Sequence, residues 1–314
     1  MLCSSEWVLE NVQPKVLMGE NAPALFSATG EKVVSKLRDI GARFGYSFSL
    51  LKTNTELHGL PQKRIRTFYF FWRSPTAPLL NWKATSPPPL LQYLKEIPAD
   101  ASMQDIFIHE GVASQRYRPY QYLLERENMS HKEFSRKLGR GTIAKYLEKN
   151  NLMQDCINWL RSRYPHEKFS SNGRTHIQVL EHMVRKLDMG LGYWDDSIKF
   201  MGESFTAVIK KNLLFAIHPE EDRFFNVREL LHLMGMPHDF ELDHVKNINH
   251  VCQTVPVNTA RDWADEVVKF CHGELELSAE VFVKQDNMTQ QIVQMGENTK
   301  SFKIRKTVQC SINK

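Results

Sequence analysis

One stretch constrains this chain more than any other: His58 to Ser74, reading HGLPQKRIRTFYFFWRS. Gly59-Leu60-Pro61 makes a turn, because glycine reaches backbone angles other residues avoid and proline fixes its own φ. The turn feeds Gln62, Arg64 and Arg66 into an aromatic strand, Phe68 to Trp72. Guanidinium forks held at the exit of a turn suit a planar hydrogen-bonding ligand such as a base edge or a phosphate. The plainer alternative is a basic edge strand over an apolar core.

Before that stretch, the apolar run PKVLM at 14–18 leads into Gly19-Glu20-Asn21 and suits a buried strand with a carboxylate at its carboxyl end. Val33, Val34, Leu37, Ile40 and Phe44 then recur at helical spacing, with Thr29 placed to cap the start and Gly45 the end. Tyr46 to Asn54 is a second strand, so residues 1–75 read strand, helix, strand, turn, strand, an α/β layout. Six prolines between Pro75 and Pro98 mark a boundary. Residues 76–204 are basic and mainly helical, 205–273 return to α/β character, and 274–314 are polar, weakly periodic and expected to be loosely ordered.

Local signals punctuate these segments. Thr175 with Gln178, and Asn226 with Glu229, are capping boxes. The first opens a helix whose Ile177, Leu180, Val184 and Leu187 share a face. After Val255-Pro256-Val257, a helix with Ala260, Trp263, Ala264, Val267 and Cys271 on one face ends at Gly273. Residues 129–149 resemble a helix-turn-helix with a short turn. Between Lys132 and Arg174 stand ten Lys/Arg and four Asp/Glu, a local +6 that exceeds the net +5 of the whole chain. Such a segment suits a phosphate-facing surface, or else a solvated basic face without a partner.

No apolar run approaches the roughly 18 residues of a membrane span, and the first residues lack a signal-peptide layout. The five cysteines are odd in number and scattered, with no C-x-x-C pair, so neither a disulfide framework nor a metal site is expected. Reduced thiols fit an intracellular chain, nuclear in a eukaryote and cytoplasmic otherwise.

Together, MGENAPAL at 18–25, Thr53-Asn54-Thr55 followed by GLPQKRIR, HPEEDRFFNVRELLHLMGMPHDF, and Val255-Pro256 resemble the carboxy-terminal part of a cytosine-5 DNA methyltransferase. The resemblance implies a partial Rossmann-like methyltransferase core interrupted by a mainly helical target-recognition insert. It implies that Glu20 holds and protonates cytosine at its ring nitrogen, and that Arg64 and Arg66 face the flipped base and nearby backbone. It places Asn21, Gln253 and Val255 against S-adenosylmethionine. DNA is the implied partner, met by Lys132, Arg136, Lys137, Arg140 and Lys145 of the insert.

Cytosine carbon-5 is a poor nucleophile, so in this family a cysteine thiolate adds to carbon-6 while an acid protonates the ring nitrogen. The resulting enamine takes the methyl group. The base must first leave the duplex, at a cost of roughly a few kcal/mol. Two family features are missing: the chain has no Pro-Cys pair and no Phe-x-Gly-x-Gly turn, and the family's Gly-Asn stands here as Cys252-Gln253. The expectation is therefore a methyltransferase-family chain without its cofactor-binding and nucleophile half, either a fragment or the product of a gene that lost it, inactive on its own, with a chain supplying that half as a further candidate partner. The alternatives are a non-catalytic DNA-binding or regulatory relative, and an RNA cytosine methyltransferase. Glu20 also has the plainer reading of a capping or surface carboxylate.

Overall fold

The run Phe68 to Trp72 has no polar face, so as a strand it must be covered on both sides. The computed structural model describes residues 1–98, 117–139, 141–169, 173–191, 199–208, 216–243, 247–277 and 282–286. In it the run lies in β3 (Ile65–Trp72), and all five aromatic rings are buried. β3 runs antiparallel between β1 (Val16–Asn21) and β2 (Ser47–Asn54), so it is an interior strand and not the basic edge that the arginines also allowed. β4 (Phe282–Asp286) joins parallel to β2 and completes the order β1-β3-β2-β4.

The rings sort by the two-residue period of a strand. Tyr69 and Phe71 enter a core with Leu9 of α1 (Leu2–Asn11), Phe48 of β2, and Val34, Leu37 and Ile40 of α2 (Glu31–Arg43). Phe68, Phe70 and Trp72 turn to the other face and meet the closing helix, Val257–His272. Trp263 stands 5.7 Å from Phe68 and 6.3 Å from Phe70, and Phe270 stands 4.8 Å from Trp72. Burial of each ring is worth about 1.5–3 kcal/mol, which makes β3 the main organiser of this unit. Gly19 lies opposite Tyr69 in the register, and a Cβ there would stand 2.1 Å from Tyr69 Cζ, so the phenol ring lies on bare backbone.

Four local expectations are corrected. β1 is half-exposed, with Met18 40% accessible, because among the described residues only β3 pairs with it. Gly30 and not Thr29 caps α2, since the Thr29 hydroxyl is held by Ser27 Oγ at 2.7 Å. On the closing helix the buried positions are Thr259, Trp263 and Glu266, while Ala264 and Cys271 face solvent. Glu266 can be buried there because its carboxylate accepts from the Asn81 amide at 2.6 Å and pairs with Lys269 at 2.5 Å. Finally, part of the segment expected to be loose is ordered: Leu79 N–H bonds the Glu276 carbonyl, and 282–286 form β4.

Contacts divide the chain into residues 1–88 with 256–314, which hold this sheet, and residues 89–255. The second unit is a helical core. α3 (Arg118–Glu127), α4 (His131–Leu138), α5 (Ile143–Lys149), α6 (Met153–Arg163) and α7 (His176–Asp188) enclose Leu123, Phe134, Ile143, Leu147, Cys156, Leu160 and Leu180. Ser130 and Glu133 form a capping box at α4, as Thr175 and Gln178 do at α7, and Thr142 caps α5. On α7 the fully buried residues are His176, Leu180 and Met183, one step around from the stripe that the apolar spacing indicates. A polar ring replaces an apolar side chain at the start of that stripe. Asn226 and Glu229 cap α8 (Val227–Leu233) as expected.

Candidate functional site

Glu20 lies near the carboxyl end of β1 and Arg66 near the start of β3, so the antiparallel register brings them side by side. Arg66 Nε stands 2.8 Å from Glu20 Oε1, with both side chains partly open to solvent, and Arg66 Nη1 donates to the Ile65 carbonyl at 2.8 Å. Burial pulls the Arg66 guanidinium below its ordinary range, and the Glu20 charge opposes that shift. The pair presents carboxylate oxygen and guanidinium N–H together, the donor and acceptor set that a cytosine edge needs.

Arg64 is almost fully buried, so its guanidinium is part of the unit's interior, unlike the partly open Arg66. Its backbone fixes the turn: the Thr55 amide and Thr55 Oγ1 both donate to the Arg64 carbonyl, at 3.0 and 3.1 Å. Gly59 takes φ +80°, a left-handed angle that glycine adopts without strain.

Behind the turn lies a network that sequence reasoning missed. The His58 ring is buried, with Nδ1 2.6 Å from Asp262 Oδ2 and Nε2 2.8 Å from Thr53 Oγ1. Trp82 stacks on it at 4.4 Å and donates its indole N–H to the same Asp262 oxygen at 2.8 Å. Burial pushes the His58 pKa down, against the upward pull of Asp262. A cleft of about 330 Å³ borders Trp82, Asp262, Glu266 and Lys269. Asp262 and His58 stand more than 200 positions apart, and an Asp on a polar helix face gives no signal of a buried partner. The one available cue was Trp263 on the buried face of the closing helix.

The residues assigned to S-adenosylmethionine are divided between the two units. The Asn21 side-chain oxygen accepts from the Ala22 amide at 2.7 Å, and its nitrogen stands 3.5 Å from Met1 Sδ, so both ends of the amide are engaged locally. Gln253 and Val255 belong to the other unit, where Gln253 is exposed after a short helical turn at Ile248–Val251. Of the cysteines, Cys3 and Cys271 are exposed, Cys156 and Cys252 are buried, and burial pushes the Cys156 thiol up to about 12. Cys310 lies outside the described residues.

The basic insert is less bare than its charge count. Lys137 pairs with Glu127, Arg163 with Glu125 at 2.9 Å, and Arg161 stands 3.7 Å from Glu181. All three carboxylates come from outside the 132–174 window or its acidic tally, which is why the sequence tally overlooked them. Lys132 donates its ammonium to the Glu220 carbonyl, and its backbone N–H donates to Asp222 at 2.9 Å. Arg136 stands in the last turn of α4, Lys145 is exposed on α5, and Arg140 lies outside the described residues. Among the described residues no group of His, Cys, Asp and Glu could hold a metal ion, and no helix is long and apolar enough to cross a membrane.

No curated protein matches the chain. One solved structure, described as a DNA modification methyltransferase encoded within a prophage of E. coli, aligns over 84% of this chain and 72% of its own at 12% identity, with a TM-score of 0.47. The model of the C-5 cytosine-specific DNA methylase family matches residues 2–269. That match begins at residue 2 and so lends no support to a restriction to the carboxy-terminal motifs. It spans most of the 314 residues, including the Glu20–Arg66 pair and the closing helix, and the chain belongs to the C-5 cytosine-specific DNA methylase family.

Proposed function

We propose that this chain binds DNA and holds a flipped cytosine at Glu20 and Arg66, and that methyl transfer requires a Pro-Cys thiolate and a glycine turn that these 314 residues do not contain. The carrying observation is the pair itself, at 2.8 Å and partly open to solvent. A half-exposed ion pair contributes at most about 1 kcal/mol to stability, so folding alone gives weak reason for it. In the proposed role, the Glu20 carboxyl hydrogen-bonds the ring nitrogen and exocyclic amine, and Arg66 takes the carbonyl oxygen. Neither group replaces a thiolate. They stabilise charge that an attack on carbon-6 produces, and no Pro-Cys pair is present to make the attack.

S-adenosylmethionine is the methyl donor of the proposed reaction, and the cradle for it would come, with the thiolate, from a segment or partner carrying the family's glycine turn and Pro-Cys motif. The edge of β1 supports such a supply: among the described residues its outer side pairs with no strand, and Met18 within it is 40% exposed. A non-catalytic DNA-binding relative is the rival reading, favoured by the same missing Pro-Cys pair.

The test incubates the purified chain with labelled S-adenosylmethionine and duplex DNA, alone and with a chain supplying a Pro-Cys motif and a glycine turn. Label is expected in DNA only in the mixture and is lost on Glu20→Gln or Arg66→Ala. Label from this chain alone overturns the need for a partner and points to Cys252 or Cys271. Binding without label in any mixture favours the non-catalytic relative.

A further inference from the structure

We propose that Asp262 and His58 are positioning residues for Arg66: the closing helix sets the guanidinium beside Glu20 through one buried imidazole. The inference rests on the reading of Glu20 and Arg66 as a base-holding pair.

Inside one unit the geometry forms a path that is hydrogen-bonded from Asp262 to Thr53 and carried to Arg66 by strand pairing. Asp262 on the closing helix holds His58 Nδ1 at 2.6 Å, and Asn258, one helical turn earlier, donates to the His58 carbonyl at 3.3 Å. The opposite ring nitrogen meets Thr53 Oγ1 at 2.8 Å. Thr53 is the register partner of Arg66 across β2 and β3. Two residues on, Thr55 holds the Arg64 carbonyl twice. The turn bearing both arginines is thus fastened at its base to β2 and at its apex to a helix some 200 residues later in sequence.

Hydrogen-bond direction is fixed along this path. A carboxylate only accepts, so Nδ1 carries the imidazole proton, and Nε2 then accepts from the Thr53 hydroxyl. An apolar residue at position 58 would fill the same space between Trp82 and Trp263, whose rings lie 4.4 and 5.4 Å from that of His58. Packing therefore does not account for the imidazole. A buried polar relay with every member satisfied specifies one arrangement where an apolar contact tolerates several. The Trp82 indole N–H on the same Asp262 oxygen, at 2.8 Å, holds that carboxylate in place as well.

Asp262→Asn keeps the shape and removes the obligatory acceptor, so the relay direction is no longer imposed. Two measurements decide. The first is hydrogen exchange of the Arg66 Nε–H by NMR, without nucleic acid. It is expected to quicken by about tenfold in Asp262→Asn, the factor that goes with losing one hydrogen bond to a charged group, while the backbone amides of β1 and β3 keep their positions. The second is duplex DNA affinity in a double-mutant cycle. Asp262→Asn is expected to weaken binding in the parent chain and to add nothing in an Arg66→Ala background.

Unchanged Arg66 exchange overturns the proposal, as does a full additive loss in the Arg66→Ala background. If Asp262→Asn fails to fold, His58→Phe serves in its place, filling the ring site while removing both polar contacts. A parent chain that binds no duplex refutes the proposed function, and the exchange measurement still decides the link.

Discussion

His176 begins α7 with its ring wholly buried, stacked 4.8 Å from Phe169, in the helical unit. Its nearest carboxylate, Glu167, stands 3.9 Å away, too far for a hydrogen bond, and neither ring nitrogen has another partner. Burial pushes its pKa from 6.5 to about 4, the Glu167 charge offsetting only part of the cost. Between those values the unfolded chain binds the proton that the folded chain refuses. Stability from this residue is thus complete above pH 6.5 and is lost as pH falls toward 4. At about 1.36 kcal/mol per pKa unit the whole effect is about 3 kcal/mol, of which about 2 kcal/mol falls between pH 7 and pH 5. The comparison is His176→Phe against the parent chain, by urea unfolding followed by far-UV circular dichroism at both pH values. His58, His131, His218 and His232 are also held low by burial, but they remain in both chains and cancel. The parent is expected to lose about 2 kcal/mol more than the variant on acidification. Equal losses would refute the reasoning and mean that the folded unit accommodates a charged ring.

Gly19→Ala places a methyl group 2.1 Å from the Tyr69 ring, so that ring must move or β1 must lift; a loss of about 1–3 kcal/mol and a changed near-UV spectrum are expected. Native stability and spectrum in that variant would mean that Tyr69 is free to turn away. If the insert meets about six phosphates, duplex affinity falls with salt at a log–log slope near −5, and Lys145→Ala reduces the slope by about 0.9. A slope near zero would leave the basic face without a nucleic-acid partner.

Periodicity and turn chemistry carried the elements whose cause is local. The Gly59-Leu60-Pro61 turn, the strand from Phe68 to Trp72, and the capping boxes at Thr175 and Asn226 each depend on residues within a few positions of one another. What failed depended on partners distant in sequence. PKVLM is as apolar as an interior strand, yet only one neighbour pairs with it among the described residues. Phe282–Asp286 looked polar because β4 is held by backbone pairing to β2, which side-chain pattern does not report.

The same distinction governs the site. Glu20 and Arg66 each stand in a short motif, and the structure adds that they form an ion pair. The insert's local +6 overstates its bare charge because Glu125, Glu127 and Glu181, outside the window, reach basic residues inside it, and a window along the sequence has no access to that geometry. His58 is the extreme case. In the sequence it is the residue before a turn, and its meaning comes from a carboxylate on the closing helix, a hydroxyl on β2 and an indole from the extended segment between. A motif names the groups that touch a ligand. In the proposed role, where Arg66 stands is decided by residues outside the motif, so duplex binding by this chain should fall on Asp262→Asn only while Arg66 is present.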